Sequence, residues 1–496
     1  MVEREVKLEA PPSFSVPDLD GLGLSTRAHE PKTLDAIYFD TEDLRLARWG
    51  CSLRWRSDSG WTVKLPAPDD PGKNGWLSRL EQLFPGERDK PPDEALDLLS
   101  AYLRGRPVRP IARLRTRRRA TEVLDAEGKP IAVLDDDEVS VLDGRRIALR
   151  FRELEVELTP GAPDDAAEEI VELLRSAGAS EPNPTPKIVR ALGPGATDEP
   201  ELSSSSPSKH AAIAEVITDA LGSAVTRLIR NDAGIRLDDP DPERVHQARV
   251  GTRRFRTILK EFKPLFVADW DKALRKEAKS LAHALGGVRD ADVMLARQQT
   301  HVDVLSTGER PGALAVVNKL HDDREAARKK LLAALRDPRY TQLLDHMVGA
   351  AKEPQFAEDA NRPAKGLADF AVQAFAKLKE AVDELDLDPQ PPDLHRVRIL
   401  TKHARYVAEA LIPLAGKDAE RFADRASDLQ DVLGELQDAT VAGEWLNEFA
   451  RSTPQAAFIA GKLAGMETVA GLTALGAWRD AWDKLDRKKV TGWLSG

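Results

Sequence analysis

In the opening stretch VEREVKLE, Glu3, Glu5, Lys7 and Glu9 alternate with Val2, Arg4, Val6 and Leu8. A strand projects successive side chains to opposite faces, so three carboxylates and an ammonium would share one face. The same alternation recurs. SLRWR puts Arg54 and Arg56 together, WTVKL sets Lys64 opposite Trp61, Val63 and Leu65, and RLRTRRR aligns Arg113, Arg115, Arg117 and Arg119. VLDDD offers Asp135 and Asp137, and ELEVEL aligns Glu153, Glu155 and Glu157 against Leu154, Val156 and Leu158. One such strand needs no function, because a half-buried strand shows a polar face to water. Together they segregate by sign, with carboxylates on the first and late strands and bases on the middle ones. An antiparallel barrel lined by both sets could hold Mg²⁺ or Mn²⁺ on carboxylates and grip phosphate oxygens with Arg and Lys. Such an interior is costly to leave unpaired, which argues for a ligand.

A second group lies in RVHQARVGTRRFRTILKEF, residues 244 to 262. Pro242 can open a helix behind Asp241 as N-cap. At about 100° per residue, His246, Arg249, Arg253, Arg256 and Lys260 fall within roughly 80° of the wheel, opposite Ala248, Phe255, Ile258, Leu259 and Phe262. Solvated helix faces normally mix signs to gain i,i+4 pairs, whereas this one is cationic throughout. Residues 391 to 411 repeat the pattern with His395, Arg398, Lys402 and Arg405, at an offset of 395 − 246 = 149. LGGVRDADV from Leu285 is echoed by LGELQDATV from Leu433, at 433 − 285 = 148. Two motifs repeating in order predict a duplicated all-α region, a pair of pseudo-twofold-related bundles with one basic helix each. Arg forks and Lys point charges at these positions suit multidentate phosphate binding, with the two His near helix N-termini. Stacking aromatics are not interleaved, with only Phe255 and Tyr406 at hand; nucleic acid would call for them, whereas a linear phosphate polymer, inorganic polyphosphate, needs no stacking.

The elements that must carry these groups divide the chain. At 496 residues, with 41% apolar and 31% charged, it is long enough for two or three domains. The net charge of −10 means that any polyanion partner must be met by local patches. Cys51 is the lone cysteine, which excludes an internal disulfide and a Cys-based metal cage and fits a reducing compartment. MVEREVKLE is too charged for a signal peptide, and no membrane partner is expected. Residues 193 to 209, GPGATDEPELSSSSPSK, read as a flexible linker. The expected organisation is an α+β multidomain chain: a barrel over 1–195, a linker over 196–209, and helical repeats of about 210–350 and 360–490 within 210–490.

Residues 1 to about 195 resemble a CYTH domain, of the triphosphate tunnel metalloenzyme family. The resemblance rests on Glu-x-Glu-x-Lys as Glu3, Glu5 and Lys7, and on YFDTEDLRLARWGCSLRWR at 38 to 56. The Arg-rich strand, Asp135, Glu153-x-Glu155-x-Glu157 and Lys187 follow in order. It implies an eight-stranded antiparallel tunnel with helices that hydrolyses triphosphate-bearing substrates with Mg²⁺ or Mn²⁺, some members cyclising ATP instead. It further implies Glu3, Glu5 and Lys7 as catalytic, and metal ligands among Glu3, Glu5, Glu153, Glu155 and Glu157. Phosphate would be bound by Lys7, Arg54, Arg56, Lys64, Arg115, Arg117 and Lys187. The choice among Arg113 to Arg119 turns on strand register. Arg79 and Glu81 match an Arg-x-Glu stretch more loosely.

Residues 205 to 490 resemble a CHAD domain, the conserved histidine α-helical domain, through His246/Arg249 and His395/Arg398. That resemblance implies a basic groove or pore for inorganic polyphosphate, built from His246, Arg249, Arg253, Arg256, Lys260, His395, Arg398, Lys402 and Arg405. The second copy is less basic, with His403 in place of Arg254 and Glu409 in place of Lys260. The functional expectation is a cytoplasmic metal-dependent triphosphatase tethered to polyphosphate, in association with polyphosphate granules. Two alternatives are a non-catalytic polyphosphate-binding protein and an adenylyl cyclase.

Overall fold

A computed structural model describes residues 2–67, 76–202, 207–208, 211–237, 241–361 and 364–495. The chain forms two compact units, Met1–Pro200 and Glu201–Gly496. Parts of the expected linker, residues 203–206 and 209–210, lie outside the described residues.

The first unit contains β1 (Val2–Glu9), β2 (Ser25–Ala28), β3 (Lys32–Asp40), β4 (Ser52–Arg56), β5 (Gly60–Pro66), β6 (Trp76–Phe84), β7 (Arg109–Leu124), β8 (Pro130–Asp143) and β9 (Arg146–Leu158). Eight of them close an antiparallel barrel in the order β7-β3-β4-β5-β6-β1-β9-β8, with β8 returning to β7, while β2 adds only to the end of β7. Short helices α1 (Arg45–Arg48), α2 (Asp93–Leu98) and α3 (Ser100–Leu103) lie in connections, and α4 (Asp164–Ser176) and α5 (Lys187–Leu192) follow β9.

The barrel reverses the usual arrangement of polarity. Val6 and Leu8 of β1, with Leu154 and Val156 of β9, point outward and are buried under Ala167, Ile170 and Leu174 of α4. Burying such aliphatic side chains stabilises by about 1.5–3 kcal/mol each. Their strand neighbours Glu5, Lys7 and Glu155 therefore face inward, because alternation leaves them no other side. Ile188 of α5 packs with Ala36, Tyr38, Leu114, Val139 and Val141, so α5 forms an apolar plug against the inner wall. Asp40 ends β3 and turns the chain: its carboxylate accepts from the backbone N–H of Thr41 at 2.7 Å, Leu46 at 2.9 Å and Ala47 at 2.9 Å. The Asp-Thr segment is thus a structural bracket that sets the course of β4.

The second unit is helical: α6 (Ile213–Arg236), α7 (Pro242–Glu261), α8 (Trp270–Asp303), α9 (Arg310–Arg336) and α10 (Pro338–Lys352), then α11 (Ala368–Asp383), α12 (Pro391–Ala415), α13 (Lys417–Ser452), α14 (Ala457–Leu485) and α15 (Lys488–Thr491). The succession α6 to α9 is repeated by α11 to α14, and the basic helices α7 and α12 pack on one another. Asp241 caps α7 by accepting from the Glu243 N–H at 2.9 Å, with Pro242 in the first turn. Val245, Ala248, Phe255, Ile258 and Leu259 form its buried side. The stretch Pro454–Leu485, which contains α14, is long and apolar enough to cross a membrane by composition alone. It nevertheless carries the buried Glu467, bonded to Arg297 and Gln298 of α8, and buries Leu463, Trp478 and Trp482 as a bundle helix does.

Candidate functional site

The barrel encloses a cavity of about 260 Å³. Lys7, Arg54, Arg56, Lys64, Arg79, Arg118 and Lys187 line it with seven cations, against five carboxylates from Glu5, Glu81, Asp137, Glu155 and Glu157. Cations and carboxylates brought together on one cavity wall can grip a polyanion and a divalent metal at once.

Strand register explains the pairing. Across β1 and β9, Glu5 stands opposite Glu157 and Lys7 opposite Glu155. The Lys7 ammonium bonds Glu155 and lies 3.1 Å from Glu5 Oε2. Burial would lower the Lys7 pKa, but Glu155 and Glu5 outweigh it and hold the group above the usual lysine range. Lys187, at the start of the plug, lies 2.9 Å from Asp137, 2.7 Å from Glu153 and 2.8 Å from Glu155. Burial opposes its charge, yet these three carboxylates keep it firmly protonated. Arg118 bonds Asp137 at 2.8 and 2.6 Å and Glu155 at 3.0 Å, and pairs with Asp135. Burial raises Asp135 to about 6 against the pull of Arg118. On the other wall, Glu81 lies 3.3 Å from Lys64 and 3.8 Å from Arg54.

The structure corrects part of the expected set. Arg115 and Arg117 point outward and are exposed, Arg115 pairing with Asp35 at 2.8 Å. Leu114, Thr116 and Arg118 face the cavity instead. The physical reason is the plug: the inner wall beside α5 must be apolar, which fixes Leu114 inward and carries Arg118 with it two pairs later. Arg118 is therefore a tunnel residue that the sequence left on the wrong face. No local signal decides the face; the packing of Leu114 against Ile188 does. Asp137, Arg79 and Glu81 also reach the cavity.

Divalent metals of the Mg²⁺ and Mn²⁺ type take hard oxygen donors. Glu5 and Glu157, adjacent on the wall, fit that chemistry. Glu153 does not reach the cavity: it is buried and held by Lys187 and by Arg190 at 3.1 Å. Glu155 is bound by Lys7, Lys187 and Arg118. Among the described residues no group of three or more His, Cys, Asp or Glu is arranged to hold a metal ion. The side chain of Glu3, opposite Arg79 in register, lies outside the described residues.

The helical unit holds a second charged cavity, of about 520 Å³. His246, Arg249 and Arg253 of α7 meet Arg398 and Lys402 of α12 there, joined by Arg289 and Arg297 of α8. These last two were missed, although Arg289 sits inside the echoed LGGVRDADV motif. That motif has a steric meaning: a Cβ added to Gly286 would lie 2.8 Å from the Arg249 guanidinium, and one added to Gly434 would lie 3.5 Å from that of Arg398. Only at Gly286 would the added methyl group displace the arginine; at Gly434 it would make an ordinary contact. Arg297 is held by Glu467 at 2.6 Å and Glu435 at 2.9 Å. Burial, with Arg398, Arg253 and Arg249 nearby, pushes Lys402 down to about 7. Burial, with Arg289, likewise lowers His246.

Most of the nine expected helical residues are spread along adjoining openings that share residues. Arg253 and Lys402 continue into an adjoining cavity of about 280 Å³ with Arg256, Lys260, His403 and Tyr406. His395 lines a third cavity, of about 700 Å³, with its Nδ1 2.8 Å from Gln437 Oε1. Arg405 turns away to Glu409 at 2.8 Å and Ser427 at 2.9 Å, because an acid stands one turn along its own helix.

Known proteins resemble both units. The CYTH domain family matches residues 1–189 and the CHAD domain family matches residues 219–447. Uncharacterized protein Rv2226 of Mycobacterium tuberculosis (strain ATCC 25618 / H37Rv) is 30% identical over 472 residues, which cover 90% of this chain and 88% of that protein. Uncharacterized protein MT2285 of strain CDC 1551 / Oshkosh gives the same figures, 30% over 472 residues, 90% and 88%. Among solved structures, PptA from Streptomyces chartreusis has a TM-score of 0.48 at 22% identity, over 55% of this chain and 100% of that one. The CHAD domain from the plant Ricinus communis has a TM-score of 0.42 at 27% identity, over 60% of this chain and 96% of that one. The two family matches make this a protein of the triphosphate-tunnel type with a polyphosphate-related helical region, in keeping with its closed eight-stranded barrel and paired helical repeats. The chain belongs to the family that joins a CYTH domain to a CHAD domain.

Proposed function

We propose that the barrel is a metal-dependent triphosphatase and that the helical unit binds inorganic polyphosphate. The observation that carries the proposal is the convergence of Lys7, Arg54, Arg56, Lys64, Arg79, Arg118 and Lys187 on one small barrel cavity, with Glu5 beside Glu157 on its wall. Lys7, Arg54, Lys64 and Arg118 would bind the phosphate oxygens and stabilise the charge that spreads over them as the phosphoanhydride bond breaks. Arg56 and Arg79 would hold the rest of the chain. Lys187 would keep Glu155 and Asp137 ionised and in place. Glu5 and Glu157, with Glu3, would hold Mg²⁺ or Mn²⁺, which when bound supplies Lewis-acid polarisation of a phosphoryl oxygen. Ile188 of α5 gives the inner wall an apolar side, packed with Ala36, Tyr38 and Leu114.

In the helical unit, His246, Arg249, Arg253, Arg289, Arg398 and Lys402 would engage a phosphate chain, with a cytoplasmic location near polyphosphate granules. The tether would raise the local concentration of phosphate chains near the barrel. The test is phosphate release by the full chain from tripolyphosphate, ATP and long-chain polyphosphate, with and without Mg²⁺ or Mn²⁺, beside Glu5→Gln and Glu157→Gln. Metal-dependent release lost in both variants is expected. Retained polyphosphate binding without release would make the chain a binding protein, and cyclic AMP from ATP would make it a cyclase.

A further inference from the structure

The third helical cavity, of about 700 Å³, arises where the two repeats differ. In the first repeat Gly251 lets α6 approach α7 so closely that an added Cβ would lie 2.6 Å from the Ala224 carbonyl oxygen. The equivalent position in the second repeat, 251 + 149 = 400, is Leu400. Leu400 instead carries a half-buried side chain that lines the opening between α11 and α12. The opening is lined from α11 by Phe370 and Lys377, from α12 by His395, Ile399, Leu400 and His403, and from the end of α7 and the turn beyond it by Lys260 and Lys263.

Apolar groups and charges of both signs meet in this cavity, Glu261 and Glu380 lining it beside the lysines. Phe370, Ile399 and Leu400, with Pro264 and Pro392, make an apolar floor. Lys263 and Lys377 are exposed and have no acidic partner within 4.0 Å among the described residues, while Lys260 lies 3.5 Å from Glu261. His403 sits between them, 3.2 Å from Glu261. A bare phosphate chain would satisfy the lysines and leave the floor against water. A ligand with a flat apolar body and a phosphate tail satisfies both, and the volume lies within the usual range for small-molecule sites.

We infer that this cavity between α11, α12 and the end of α7 is a nucleotide site, with the base on Phe370 and Leu400 and the phosphates on Lys260, Lys263 and Lys377. It is separate from the barrel cavity and does not depend on the barrel's activity. Loss of two charge-assisted contacts should weaken binding by about tenfold or more.

The test is photolabelling of the full chain with 8-azido-ATP in EDTA, so that turnover does not consume the probe, followed by peptide mapping. Label is expected within 366–403, blocked by ADP and not by equimolar tripolyphosphate. The Lys263→Ala/Lys377→Ala variant should reduce it at least tenfold with an unchanged melting curve. Label confined to barrel peptides would overturn the assignment, as would label in 366–403 unchanged in that variant. Equal competition by tripolyphosphate would reduce the cavity to a phosphate site and overturn it too.

Discussion

Arg254 of α7 and Glu409 of α12 meet across the contact between the two repeats, with Nη2 2.5 Å from Oε2. In the reverse sense, His403 of α12 lies 3.2 Å from Glu261 of α7. Because 403 − 149 = 254, the two departures that make the second basic helix look weaker, His403 and Glu409, are the complements of Arg254 and Glu261. The repeats have diverged into an interface with one ion pair, Arg254–Glu409, and one His403–Glu261 contact in which burial lowers the imidazole's affinity for a proton, while keeping Arg249, Arg253, Arg398 and Lys402 for the cavity. Glu409→Ala leaves Arg254 and Arg405 half-buried without their acid, and should destabilise the helical unit by about 1–3 kcal/mol. Urea unfolding followed by circular dichroism measures it, and a change below about 0.5 kcal/mol would show the pair to be a surface ornament.

Lys402 makes the helical cavity sensitive to pH. With a pKa of about 7 in place of 10.5, it is mostly neutral at pH 8 in the free protein. An unfolded chain holds that proton, so this group makes folding more favourable as pH rises from about 7 to 10.5. A phosphate chain restores the charge, and binding at pH 8 should take up a proton. Calorimetry in two buffers of different ionisation enthalpy should show uptake at pH 8 that shrinks by pH 6 and is abolished in Lys402→Met. Equal uptake in that variant would assign the proton elsewhere.

Gly286→Ala pushes a methyl group into the Arg249 guanidinium. The flexible arginine can swing aside, so stability should change by about 1 kcal/mol or less, while affinity for polyphosphate falls by about tenfold. Filter binding at fixed salt compares the variant with the parent, and unchanged affinity would remove Arg249 from the binding set.

Asp40→Ala removes the acceptor of three backbone N–H groups at the β3–β4 turn. Buried donors left without partners should cost about 2–4 kcal/mol, seen as a lower melting temperature of the barrel. A change under about 0.5 kcal/mol would mean that water replaces the carboxylate.

Much of this was legible from the sequence because alternation and repetition are local. Glu5, Lys7, Arg54, Arg56, Lys64, Glu155, Glu157 and Lys187 reach the barrel cavity, and His246, Arg249, Arg253, Arg398 and Lys402 share the helical one. The failures have tertiary causes. In RLRTRRR every second residue is basic on one parity and Arg118 interrupts it, so only the docking of Ile188 against Leu114 decides which face turns inward. Glu153 aligns with Glu155 on its strand, but the barrel carries it past the cavity to Lys187 and Arg190. Arg405 kept its place on the helix wheel but pairs with Glu409, and His395 lines the neighbouring opening while its Nδ1 meets Gln437 of the helical cavity.

The sharpest measurement is kcat/KM for tripolyphosphate with Mg²⁺ or Mn²⁺ in Arg118→Ala beside Arg117→Ala, neighbours on opposite faces of β7. With both variants shown folded by circular dichroism, Arg118→Ala should lose about a hundredfold or more and Arg117→Ala should stay within about twofold of the parent. Equal effects, or the larger loss in Arg117→Ala, would contradict the assignment of the charged barrel interior as the site of triphosphate hydrolysis.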